Sequence, residues 1–226
     1  IPQLRKEKDI FMLAEAWEPE LLKDGLFDMA YGWEVHHTMN RIAQGKNTVK
    51  DWDKLMEENA NKYESNDILM SFVDNHDENS WNGTIKGRLG KGEEAMTALS
   101  YVMPGMPLIY SGNEYGLNHS LKFFEKDTKK KTKGKDWELR AKLGKLKTEN
   151  PALNGGKNKA KYTRIKTDDD TNILAFTREK NGKKVVYIAN FSNNPINTKV
   201  DITGEFTNYM TGKIMGMNEK QMFSMK

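Results

Sequence analysis

The 226 residues suffice for one large domain or two smaller ones, and with 37% of them hydrophobic the chain can bury a core. Lys and Arg number 36 against 32 Asp and Glu, a formal charge of +4 spread along the chain, and the one dense basic run, Lys129 to Lys135, has no interleaved aromatic residues, which argues against a nucleic-acid partner. The lack of cysteine excludes disulfides and thiolate chemistry, and no apolar stretch reaches the roughly 18 residues that a membrane-spanning helix needs.

In chain order, residues 10–14 read as a buried strand and 26–31 as a second, weaker one. A helix is expected over 34–44, with Val35, Met39, Ile42 and Ala43 on one face, and another over 49–63, with Val49, Trp52, Leu55, Met56, Ala60 and Tyr63. Residues 68–73 form a third apolar strand, 93–103 a third helix and 107–110 a fourth strand. Continuous apolar strands alternating with helices imply a parallel sheet covered on both faces. A last helix is expected over 136–148, ending before Asn150-Pro151. After Asn154-Gly155-Gly156 the period changes: 173–179 and 184–190 are β-type runs joined across Asn181-Gly182, a strong hairpin signal, flanked by runs at 162–166 and 198–202. Residues 1–156 are therefore expected to be α/β and 157–226 a small antiparallel β domain.

In parallel α/β folds, functional side chains collect at the C-terminal ends of strands. Those ends carry Glu15, Tyr31 to Trp33, His76 with Asp77, and Glu114, and Trp17, Tyr31, Trp33 and Trp81 crowd the same edge. Carboxylates ringed by aromatic faces suit glycoside chemistry, in which one acid protonates the leaving oxygen and another meets the cationic transition state. Each has a plainer reading: Glu15 as a capping or solvent residue, Asn75-His76-Asp77 as a turn, the tryptophans as packing, and His36-His37 as structural or surface residues, since neighbours on a helix point apart.

Three segments carry a resemblance. Phe72-Val73-Asp74-Asn75-His76-Asp77 resembles the strand-seven signature of the α-amylase family, glycoside hydrolase family 13. Phe11-Met12-Leu13-Ala14-Glu15-Ala16-Trp17 resembles its strand-five segment, and Gly105 to Glu114 its strand-eight segment, with Asn113 where Gln is usual. All three stand in the family's order and spacing. The resemblance implies a partial (β/α)8 TIM barrel, strands five to eight, followed by a small antiparallel β-sandwich like the family's domain C. It implies retaining hydrolysis of α-glucans such as starch or maltooligosaccharides, with Glu15 as general acid/base and Asp77 as the third carboxylate, stabilising the transition state. His76 would bind the sugar at the cleavage point, and Trp17, Asn75 and Trp81 would join it in substrate binding.

No cofactor is expected in the chemistry, no metal in this part of the chain, and structural calcium would belong to an upstream insertion. The family's nucleophile, an aspartate in a G-F-R-x-D segment at strand four, has no match here, and Asp9 and Asp28 stand at the starts of strands. A chain beginning Ile1-Pro2-Gln3 is thus expected to start after strand four, to lack its natural N-terminus and to be inactive alone. The compartment is not fixed by the sequence; secreted, periplasmic or outer-membrane-associated settings are favoured over the cytoplasm. Two alternatives stand beside hydrolysis: glucosyl transfer or isomerisation, and a non-catalytic amylase-like binding protein, which the retained Glu15 and Asp77 disfavour.

Overall fold

The computed structural model describes residues 1–217 and, by backbone alone, 221–225. Residues 218–220 and 226 of the expected β region lie outside the described residues. Four parallel strands lie side by side in chain order: β1 (Leu13–Ala14), β2 (Met29–Tyr31), β3 (Leu69–Ser71) and β4 (Met106–Pro107). Their register pairs Leu13 with Met29, Ala30 with Leu69 and Met70 with Met106.

The strands are shorter than the apolar runs that announce them. Before β1 becomes regular, the Met12 carbonyl accepts from both Asp28 N–H, at 2.8 Å, and Met29 N–H, at 3.3 Å, which interrupts the ladder. The weak run at 26–31 shrinks to three residues because the 3-10 segment Pro19–Gly25 feeds directly into it. β4 is admitted by Gly105: its φ of +122° suits glycine, and a Cβ there would lie 2.3 Å from the Leu69 carbonyl oxygen. Strand and backbone can meet this closely only without a side chain.

A short helix, α1 (Pro2–Glu7), precedes the sheet and is pinned by Arg5, which donates to the Ile10 and Leu26 carbonyls and to Asp28. Between β2 and β3 run α2 (Trp33–Ala43) and α3 (Val49–Lys62). α3 starts where expected because the Asp51 carboxylate accepts from the Thr48 backbone N–H at 2.7 Å, half of a capping box. Between β3 and β4 run α4 (His76–Trp81), α5 (Ile85–Leu89) and α6 (Glu93–Val102), and α7 (Lys135–Glu149) follows a long irregular stretch after β4. α4 and α5 were not expected as helices. Both begin at side-chain caps, Asn75 accepting from Glu78 N–H and Thr84 from Gly87 N–H, which short polar segments hide from periodicity.

Strands β5 (Lys161–Arg164), β6 (Ile173–Lys180) and β7 (Lys183–Asn190) form an antiparallel sheet. Asn181 and Gly182 both take positive φ, 51° and 70°, as a two-residue hairpin turn demands. Beyond it β8 (Ile196–Val200) pairs with β11 (Gln221–Met225), and β9 (Gly204–Thr207) with β10 (Ile214–Met217). β6 is buried on both faces. Leu174 and Phe176 join Val35, Trp52 and Leu99 in the main core, while Ala175, pointing the other way, packs with Ile165, Val200 and Ile202. The antiparallel sheet and the helices therefore share one core. Tyr187 Oη donates to the Ala95 carbonyl at 2.8 Å, and buried Arg178 donates to the carbonyls of Val102, Asn154 and Ala160.

Candidate active site

β1 delivers Glu15 immediately after buried Ala14, and β2 ends on Tyr31. After β3 the chain stays buried through Phe72, Val73, Asp74 and Asn75 and then enters α4, so His76 and Asp77 occupy its first turn. An acidic residue there is favoured by the N–H groups that a helix start leaves exposed. His76 Nε2 lies 3.3 Å from Glu15 Oε1 and 3.7 Å from Asp77 Oδ1, and the donor atoms of all three lie within 4.8 Å of one another. Burial, and then the negative charges of Glu15 and Asp77, push the Tyr31 phenol up from its ordinary range. Three separate strand ends thus converge on one edge of the sheet.

Glu114 does not join them. It lies in a 3-10 turn and its carboxylate accepts from Gly112 N–H at 2.8 Å, bent back onto its own backbone. Asp28 sits just before β2, at the opposite end of that strand from Tyr31. Burial would raise its pKa, but hydrogen bonds from Arg5 and Met12 N–H hold the carboxyl below the usual range.

Beneath exposed Glu15 and half-buried His76 and Asp77 lies a buried polar clamp that sequence reasoning did not find. Arg88 donates to Asp74 at 2.7 Å, to the Val73 carbonyl at 3.0 Å and to Asn40 at 3.0 Å. The Asn113 amide reaches the other Asp74 oxygen at 3.1 Å. His36 spans the Phe72 carbonyl and the Glu78 carboxylate, both at 3.0 Å. Burial pushes Asp74 up against these hydrogen bonds, whereas in Glu78 the pull of His36 and Arg88 outweighs burial and holds the carboxyl below its ordinary range. The available signal was the pair His36 and Asn40, one helical turn apart beside the apolar face of Val35 and Met39. His37, by contrast, is exposed, so the two adjacent histidines do point apart.

The aromatic residues divide. Trp33 stacks on Tyr31 at 5.7 Å and meets Phe72 edge-on at 5.1 Å, a packing role. Trp17 is 46% exposed, two residues beyond Glu15, and its carbonyl accepts from the Tyr63 hydroxyl at 2.6 Å. Trp81 is 62% exposed at the far end of α4 and packs against Phe123 and Phe124, two rings the sequence did not flag. Asn75, expected among the substrate-binding residues, is fully buried, and its Oδ1 accepts from Glu78 N–H at 2.7 Å, so it starts α4 beneath the site.

A cavity of about 890 Å³ lies elsewhere, between α3 and β5 at the N-terminal ends of β3 and β4, and neither Glu15, His76 nor Asp77 lines it. Strand C-termini outweigh cavity size as a guide to chemistry in this architecture. Among the described residues, Glu15, His76 and Asp77 are also the only group spaced to share a cation, a spacing common among exposed acidic groups. Chemically the trio offers a proton donor and acceptor, an imidazole and a second carboxylate, open to solvent and rimmed by rings.

An α/β fold with carboxylates gathered at the C-terminal edge of a parallel sheet is compatible with the class of hydrolases that work with paired acids. The family description "Alpha amylase, catalytic domain" matches residues 5–185, and the chain belongs to that family. Among solved structures it is similar to a noncanonic maltogenic α-amylase, AmyB, from Thermotoga neapolitana (TM-score 0.85, 16% identity, covering 99% of this chain and 54% of that one). It is also similar to α-amylases from Lactobacillus plantarum (TM-score 0.73, 21% identity, 96% and 54%) and from H.orenii (TM-score 0.73, 19% identity, 99% and 53%). These likenesses show the fold, and the chain spans about half the length of each. No curated protein matches it. Among the described residues no helix is long and apolar enough to cross a membrane.

Proposed function

We propose that this chain carries the acid/base side of a retaining α-glucan hydrolase active site. The observation that carries the reading is the convergence of Glu15, His76 and Asp77, from two strand ends, to within 4.8 Å. Glu15 is the general acid that protonates the leaving glucosyl oxygen and then the base that activates water. Asp77 stabilises positive charge that develops on the sugar, and His76, between the two carboxylates, hydrogen-bonds the sugar at the cleavage point. Trp17 and Trp81 are flat surfaces for neighbouring glucosyl units.

In this reading the four parallel strands are the second half of a (β/α)8 barrel, residues 1–156, and residues 157–226 are a β-sandwich domain. The nucleophile comes from a segment equivalent to the family's strand four, and any structural calcium belongs to that other half. The chemistry itself uses no cofactor. The substrate class is supported by the family and by the maltogenic and α-amylase names of similar structures.

The test is Glu15→Gln in the complete natural protein carrying this sequence. Hydrolysis of maltoheptaose should fall by about 10² to 10⁴, the usual contribution of a positioned proton donor. An aryl glycoside with a very good leaving group should lose far less in its first step, because it needs little protonation. Undiminished maltoheptaose hydrolysis would overturn the assignment, and chromatography of the products separates hydrolysis from glucosyl transfer.

A further inference from the structure

The loop after β4 carries an exposed aromatic shelf beside the carboxylate cluster. Phe123 lies 6.1 Å from the His76 ring, tilted 30° to it, and 5.4 Å from the Trp81 ring, tilted 41°. Phe124 stands edge-on to Phe123 at 4.8 Å and is 85% exposed. Three large rings left in water beside a candidate site are a costly feature unless something covers them.

The loop that presents them is tied down. Asn79, fully buried on α4, donates to the His119 carbonyl at 3.2 Å and accepts from Leu121 N–H at 2.8 Å. Ser80, next on α4, donates to the Leu121 carbonyl at 3.1 Å. Past the shelf, Asp127 accepts from Lys122 N–H and Thr128 N–H, closing the tip. Helix α4 thus carries His76 and Asp77 at one end, Trp81 at the other, and grips the loop in between. These hydrogen bonds at His119 and Leu121 bring the loop to α4 just before Phe123, which lies beside His76 and Trp81.

We infer that Trp81, Phe123 and Phe124 form an outer glucosyl subsite that sets chain-length preference; the inference rests on the glycosidase reading above. The occupant is a linear α-glucan. Its sugar rings present flat C–H faces that stack on aromatic rings, and a chain seated at His76 passes directly onto Phe123. A linear glucan lying across these rings covers their apolar surface while its hydroxyls stay in water, which suits a shelf open on one side.

The experiment compares maltotriose and maltoheptaose as substrates for the complete natural protein and its Phe124→Ala and Phe124→Tyr variants. Phe124 is exposed, so its truncation leaves the fold standing. F124A should lose about tenfold more kcat/KM on maltoheptaose than on maltotriose, through KM and not kcat, as expected when binding energy is lost equally from ground and transition states. F124Y should restore the preference. Equal losses on both substrates, or no loss, overturn the shelf while leaving the hydrolase reading intact. Inaction of the unsubstituted protein on every maltooligosaccharide overturns both.

Discussion

At the scale of single residues, the trio rests on buried groups. Asp74, Glu78, His36, Asn40 and Arg88 are all buried and hydrogen-bonded to one another or to the backbone around His76 and Asp77. Arg88 is the centre: it touches Asp74, Asn40 and the Val73 carbonyl, and lies 3.8 Å from Glu78. Arg88→Met would leave two buried carboxyls without their shared cation, and removing one partner of such a buried set costs about 3–5 kcal/mol. Urea denaturation should register that loss, and any activity that survives should be reduced because the start of α4 is no longer fixed. A variant as stable as the parent would mean that the clamp contributes nothing. Asn113 belongs to the same argument. Where the family usually has Gln, this shorter amide is spent on Asp74, beneath the site.

At the scale of elements, the seam between the helices and the antiparallel sheet is held by two cations without carboxylate partners among the described residues. Lys147 on α7 donates to the Gly105 and Leu153 carbonyls at 2.7 and 2.8 Å, and Arg178 on β6 binds three more. Burial, and then the nearby positive charge of Arg178, lowers Lys147 from its ordinary 10.5 to about 8. Below about 8 both folded and unfolded chains carry the proton. Between there and 10.5 the unfolded chain binds more protons, so this group makes stability rise with pH across that window. Lys147 is only partly buried, so the contribution is on the order of 2 kcal/mol. Denaturation midpoints from pH 7.5 to 10, compared between the parent and Lys147→Met, should show a shallower rise in the variant; parallel curves would show that Lys147 is not the group responsible.

At the scale of the whole molecule, the parallel sheet is open. β1 and β4 are both edge strands, and Leu13 and Met106 on them, with Phe11 and Ile109 just outside them in the chain, are exposed at 40%, 45%, 62% and 46%. Apolar side chains on unpaired parallel edges recruit other chains, because each edge still offers a row of N–H and C=O groups. Expressed by itself, this chain is expected to self-associate and to show no glucan hydrolysis. Sedimentation velocity over a range of concentrations tests the first point and a maltoheptaose assay the second. A monodisperse monomer with hydrolytic activity contradicts both.

What the sequence decided by itself is what depends on short-range pattern. The 3.6-residue spacing of Val35, Met39 and Ile42 or of Val49, Trp52 and Leu55 places α2 and α3 correctly, and Asn181-Gly182 places the β6–β7 hairpin, because each is a local match of side chain to backbone. The three motif segments likewise put Glu15, His76 and Asp77 at strand ends, which is a matter of position along the chain. Tertiary structure decided the rest. α4 exists because Asn75 caps it, which buries Asn75 under the site it was expected to line. Glu114, four residues after the last apolar run of the sheet, is turned away by a hydrogen bond from Gly112 N–H that spacing cannot reveal. Phe123 and Phe124 sit in a polar, lysine-rich stretch without periodicity, and reach Trp81 and His76 only because Asn79 and Ser80 draw the loop in from about forty residues away in the chain. Contacts between residues that distant are paid for by the packing of the whole fold, and no local pattern records them.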